Sequence, residues 1–397
     1  MARELRSGDP RKRAKVSEHP GVKTFPGQTV VRKTARDAHE RGQRRDVDPT
    51  RARFRHEVGY DQADQRTKAV ETLLIVAMGI IGEPLAAKIL VKHYNAPAVR
   101  VPCGAKVADL FFIYPDNLDP VKVKDAPETI SLIGNGAGYI DNITFVGAFV
   151  GIGTPKGGAN CGQTVIRHVN GFVHDTVVHI DGSLDIVRIE NVHSFVAGGP
   201  NDEKGYYRTH RKCFHMGATD GLMISKSFMI FGKIFLLKEN GNHGAGLSSY
   251  LSQCWVEGCS DYGIQVNDGS RISIDGLEIT CAYSKALIEL NKGAYGRIHS
   301  CYMRDSFNST GVVINEGSGA IITNCEMHGT PGFTGIRVNT KERSIISHNF
   351  IHHAEVGIAC SKDADGYLIS ENQISGNNQP LNTQLAEQLA ALKAKLR

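Results

Sequence analysis

"INEGSGAIITNCEM", residues 314–327, holds an apolar pair, a glycine- and serine-rich turn, a second apolar stretch and a polar run that ends on Met327. It matches no catalytic motif, and near-copies stand on both sides of it. Asn267, Asn291, Asn315 and Asn339 are spaced by 24 residues. The same step separates Ile274, Ile298, Ile322 and Ile346, and Ile369 follows after 23. Ile279, Met303, Met327, Ile351 and Ile374 keep the rhythm, and Cys301 and Cys325 share a further column. A fixed period of this length is the mark of a solenoid, a propeller or an array.

The interior of each unit chooses among them. Two short stretches per unit, such as "GIRVN" (335–339) and "SIISHN" (344–349), alternate apolar and polar residues between turn residues. No unit carries a ten-residue helical pattern, and a propeller blade needs about 40 residues. A parallel β-helix remains, each unit being one coil of two or three strands. Coils stack at about 4.8 Å, so equivalent positions lie above one another. Ile322 and Met327 then belong to core columns. The four asparagines Asn267, Asn291, Asn315 and Asn339 form a ladder, because Asn tolerates left-handed turn geometry and its amide reaches the next rung.

Upstream the period loosens. "IDNITFVGAFVG" (140–151), "LDIVRIENVHSF" (184–195) and "GLMISKSFMIFG" (221–232) begin further coils, with insertions at 196–213 and 239–246. The reading is about ten coils over 130–378, a rod of about 50 Å. On this repeat geometry, over about 250 residues, the chain resembles the right-handed parallel β-helix superfamily with the pectate-lyase-like fold. The resemblance implies an all-β, right-handed, single-stranded coil.

The rest of the chain differs. Residues 1–60 hold 16 Lys/Arg and 8 Asp/Glu, whereas the other 337 residues hold 30 and 33, so the positive excess lies in the arm. The arm lacks apolar periodicity and reads as an extended anchoring segment, with Arg11, Lys12, Arg13, Lys15, Arg44 and Arg45 as contacts. Its arginines alternate with acids and aromatics are sparse, which favours a protein partner over nucleic acid. Residues 61–129 read as cap and lead-in strands, with 64–93 helix-like and divided at Gly82-Glu-Pro. Residues 379–397 read as a helix in which Leu385, Leu389, Leu392 and Leu396 follow coiled-coil spacing, enough to join three chains. No secretory signal and no membrane span is expected: the longest apolar run, 73–82, is too short. Nine cysteines without a CxxC pair argue against a disulfide framework or zinc ribbon.

Chemistry is harder to find. Polysaccharide enzymes of the resembled superfamily place carboxylates on one outward strand face. None of the polygalacturonase signatures N-T-D, D-D, G-H-G and R-I-K is present, "GNHG" (241–244) being a loose echo, and no acidic calcium cluster is visible. The outward column Gln265, Glu289, Val313, Arg337 and Ala359 makes Glu289 a catalytic candidate, and His179 and His215 extend the column if the upstream register holds. Asp181 with Asp185, and Asp202 with Glu203, are candidate pairs for hydrolysis. "THRKCFH" (209–215) and "HNFIHH" (348–353) are conceivable metal ligands. His352 and His353, being adjacent, are expected on opposite strand faces, and His348 sits on a turn column with Asn324 and Glu371. No metal or cofactor is called for.

Basic arm, cap, rigid rod and oligomerising helix together resemble a bacteriophage tailspike or head-decoration protein. That layout implies a virion protein assembled in the host cytoplasm, held by residues 1–60 to other virion proteins, trimeric, and able to bind a host-surface polysaccharide. The alternative is a polysaccharide depolymerase, a glycoside hydrolase or lyase, on the same fold.

Overall fold

Three parallel sheets wind around one core as a right-handed β-helix of about 11 turns. The structure, a computed structural model, describes residues 73–75, 87–119, 122–196, 206–241, 248–281, 284–305, 308–376 and 379–381. One coil shows the plan. Arg271–Asp275 lies in sheet I, Glu278–Cys281 in sheet II and Ala286–Leu290 in sheet III. Each strand pairs in parallel with the equivalent strand of the next coil, Tyr295–His299, Tyr302–Asp305 and Thr310–Ile314.

The register explains the period. Ile274, Ile298, Ile322, Ile346 and Ile369 are successive partners in sheet I. Ile279, Met303, Met327, Ile351 and Ile374 do the same in sheet II. Ile264, Ile288, Val312, Ile336 and Ile358 line sheet III. All but the two residues of the last coil in sheets I and II, Ile369 and Ile374, are fully buried. Each inward side chain thus stacks on its equivalents in the coils before and after it, which is why the fold needs repetition.

The corner from sheet I to sheet II is one residue in left-handed conformation in every coil. Asp109, Asn142, His168, Asn191, Lys226, Gln253, Gly276, Ser300, Asn324, His348 and Glu371 fill it, with φ between 50° and 62°. One such residue turns the chain sharply without breaking the ladders on either side. The other corners vary in length and carry both insertions. Where they are short, the strand runs through: Tyr139–Gly153 and Val165–Ile180 each pass over all three sheets.

Several expectations are corrected. The stretch 64–93 is not helical where it is described: Leu73–Ile75 and Ala87–Leu90 are antiparallel strands, and the second pairs in parallel with Leu110–Ile113. A continuous apolar run suits a buried strand as well as a helix, and only the available sheet edge decides. Parallel coiling therefore begins near residue 87, not 130. It also passes 378, since Gln379–Leu381 pairs with the strand Val356–Cys360. The described helical elements are the short Tyr206–His210 and the 3-10 turn Pro115–Asn117. No helix among the described residues is long and apolar enough to cross a membrane. The basic arm and the leucines Leu385, Leu389, Leu392 and Leu396 lie outside the described residues.

Candidate functional sites on the coil surface

The outward column of sheet III runs His179, His215, Leu237, Gln265, Glu289, Val313, Arg337, Ala359 in unbroken register. His179 and His215 stack with ring centroids 4.5 Å apart. His215 Nε2 lies 2.7 Å from Glu239 Oε1. The hydrogen bond from His215, reinforced by one from Asn267, holds the Glu239 carboxyl below its ordinary range. Burial, and then the neighbouring His215, pushes His179 down to about 4, so its imidazole is neutral at pH 7.

Glu239 occupies the place that asparagine holds in the following coils. Asn291 donates to Asn267 at 3.1 Å, Asn315 to Asn291 at 2.5 Å and Asn339 to Asn315 at 3.2 Å. Every amide points its N–H upstream, so the ladder ends on a carboxylate, and that carboxylate holds His215. Glu289 lies alongside and accepts from Gln265 (2.7 Å), Asn291 (2.8 Å) and Asn315 (3.4 Å). Burial, and then the charge of Glu289, pushes the Tyr262 phenol up to about 12. Glu289 is thereby committed to the ladder.

The other acids have separate tasks. Asp181 is buried, its Oδ1 accepting from the Ala218 amide at 3.0 Å. A Cβ on Gly241 would fall 1.7 Å from that oxygen, so the segment after Glu239 is seated directly on Asp181. Lys238 is fully buried beside it, donates to the Gly217 carbonyl and is pushed down to about 8 by burial. Asp185 accepts from the Ile186 amide at 2.6 Å and from Gln163 at 2.7 Å, capping an exposed turn. Asp181 and Asp185 thus have different partners and different burial. Asp202 and Glu203 lie outside the described residues. The end of their insertion is fastened by Arg211, fully buried, which donates to Ser194 Oγ (2.8 Å) and the Ile230 carbonyl (3.1 Å).

Sheet I carries a cleft of about 540 Å³, lined among others by Tyr250, Arg271, Tyr295, Arg297, Glu342 and Arg343. Arg271 pairs in register with Tyr295, and Ser273 with Arg297. Gly269, Gly293 and Gly317, one coil apart and all left-handed (φ 74°, 81° and 74°), line its edge without side chains. Among the described residues no carboxylate pairs with any of the three guanidiniums. Arg271, Tyr295, Gly319 and Arg343 follow one 24-residue column and the three glycines another, while Arg297 comes from the column two residues on, so the cleft draws on neighbouring columns of one outer face.

A third cluster corrects an expectation. His328, His352 and His353 converge on the outer face of sheet II. His353 has φ 57°, so it has already left the strand and its ring returns to the face that His352 occupies. Alternation between faces holds only within a strand. His348, in contrast, is a corner residue paired with Glu371.

These observations define a three-sheet, right-handed parallel β-helix with polar clusters on each face. A family model described as "Right handed beta helix region" matches residues 286–388. No curated protein matches the chain. Among solved structures, the chain is similar to endopolygalacturonase I from Stereum purpureum, complexed with two galacturonate (11% identity, 71% of this chain, 99% of that one, TM-score 0.39). It is similar also to a mutant tailspike protein of E. coli bacteriophage HK620 in complex with pentasaccharide (10%, 75% and 72%, TM-score 0.31). A third is the A-module of the Azotobacter vinelandii mannuronan C-5 epimerase AlgE6 (9%, 71% and 90%, TM-score 0.30).

Proposed function

We propose that this chain is a bacteriophage virion protein that presents its β-helix as a rigid rod and binds an acidic cell-surface glycan in the sheet I cleft. The observation that carries the binding is the set of three exposed guanidiniums, Arg271, Arg297 and Arg343, that no carboxylate among the described residues neutralises. Three guanidiniums against the single carboxylate of Glu342 leave the groove net positive, which concentrates anionic ligands, and guanidinium forks match carboxylate oxygens. Tyr250 and Tyr295 line the cleft beside them. The particle role rests on the basic arm ahead of the rod, and a trimer on the terminal leucines. Isothermal titration with an acidic and a neutral polysaccharide tests the binding: equal affinity for both sinks it. Co-purification with virions tests the arm: if removal of residues 1–60 leaves incorporation unchanged, anchoring through the arm is wrong.

A second reading follows from His215 and Glu239. A carboxylate-oriented histidine beside a neutral one suits β-elimination. His215 takes the proton beside the uronate carboxyl, the glycosidic bond breaks, and its oxygen leaves as a hydroxyl after protonation from solvent. An unsaturated, ultraviolet-absorbing product that His215→Ala abolishes supports this reading. Binding without such a product leaves glycan recognition alone.

A further inference from the structure

We propose that His328, His352 and His353 form a binding site for a divalent transition-metal ion such as zinc, with Glu326 as the carboxylate that orients His352. The site is independent of the glycan reading. His328 and His352 are register partners one coil apart, and their rings stack at 4.5 Å. The ring of His353 stands across both, 5.1 Å from each centroid. One nitrogen from each of the three lies within 4.8 Å of the others. Imidazole nitrogens are ligands for zinc, nickel and copper. With zinc–nitrogen bonds of about 2.1 Å, tetrahedral ligands stand about 3.4 Å apart, so closure needs ring rotations of about an ångström.

The hydrogen bonding already suits a metal. His352 Nε2 lies 3.3 Å from Glu326 Oε1. With its proton on Nε2, His352 presents a bare Nδ1, which lies 3.0 Å from Nδ1 of His353. A carboxylate behind a ligating histidine fixes its tautomer and raises its basicity. Arg304, the register partner of His328 in the preceding coil, opposes the cation, and Glu326 favours it. His328 and His352 are half-buried and His353 is exposed, so the remaining coordination positions face solvent and take water or an external oxygen ligand.

The test uses the full chain without a histidine tag, titrated with zinc chloride by calorimetry and with cobalt(II) by visible spectroscopy. The expected result is one ion per chain with a dissociation constant at or below about 10 µM and a tetrahedral cobalt band. His352→Gln with His353→Asn, in which asparagine keeps the left-handed turn, abolishes both signals. Glu326→Gln weakens binding about 10- to 100-fold. His299→Gln, which alters an exposed histidine outside the cluster, leaves binding unchanged. Zinc also protects the three histidines from diethyl pyrocarbonate in the unaltered chain, a measurement that needs no variant to fold. Absence of zinc binding, binding that survives the double substitution, or equal labelling with and without zinc overturns the proposal.

Discussion

His215 Nε2 lies 2.7 Å from Oε1 of Glu239, and Glu239 stands at the head of the asparagine ladder one coil later. The ladder and the stacked His179–His215 pair are therefore one connected polar column. Its members are neutral amides at one end and titratable groups at the other.

That column makes stability depend on pH. The folded value for His179 is lowered from 6.5 to about 4. Between those limits the unfolded chain binds a proton that the folded ring refuses, so stability falls as pH drops from about 6.5 to 4. Glu239, also lowered, contributes stability above its unfolded value and loses it as pH falls through its folded one, which acts in the same direction. His179 alone accounts for at most about 3 kcal/mol. Urea midpoints at pH 7, 5.5 and 4.5 should decline, and His179→Phe should flatten the decline. An unchanged slope in that variant would falsify the assignment.

Asn315 donates one ladder hydrogen bond to Asn291 and accepts one from Asn339. Asn315→Ala removes both and leaves two amides short of a partner, at a cost of about 1–3 kcal/mol. Asn315→Asp, which cannot donate, should cost at least as much beside Glu289. Denaturant unfolding monitored by circular dichroism measures both. A neutral alanine variant would mean that solvent replaces the ladder without loss.

Ile322 is fully buried, whereas its neighbour Ile321 is only half-buried on the outer face of sheet I. Ile322→Ala should cost about 2–5 kcal/mol. Ile321→Ala should cost less than about 1 kcal/mol. Comparable losses at the two positions would contradict the register.

Gly335 pairs the coil to its successor at close range: an added Cβ would meet the Gly357 carbonyl oxygen at 2.5 Å and Ile351 Cγ2 at 2.7 Å. Gly335→Ala is expected to destabilise by about 1–3 kcal/mol through forced separation of the coils. Thermal unfolding checks it, with Gly269→Ala as the contrast, since no atom lies within 4 Å there and only the backbone conformation is penalised.

In the cleft, Arg297→Ala should weaken acidic-glycan binding about 10-fold, the loss of one charge-assisted contact. Binding should also weaken as salt rises, because the cleft is open to solvent. Calorimetry at two ionic strengths reads both effects. Binding that ignores salt and Arg297 would place the glycan elsewhere.

The coil was readable because a β-helix repeats its burial demands. Ile274, Ile298 and Ile322 fill equivalent places, so the same chemistry returns every 24 residues. The ladder was readable for the same reason, as was the column from Gln265 to Ala359. Where the period breaks, the reading weakened. The run 73–93 offered apolar residues without a repeat, and its strands depend on the free edge presented by Leu110–Ile113. His353 was misplaced because one left-handed residue ended the strand there.

The amino-acid sequence alone determined the period, the inward columns and the β-helical class, since those follow from local patterning repeated at a fixed interval. Only the tertiary structure decided what meets on the surface. Glu239 joins the asparagine column, Arg297 shares a cleft with Arg271 and Arg343, and His353 turns onto the His328–His352 column, because corner geometry and coil stacking bring separate columns together.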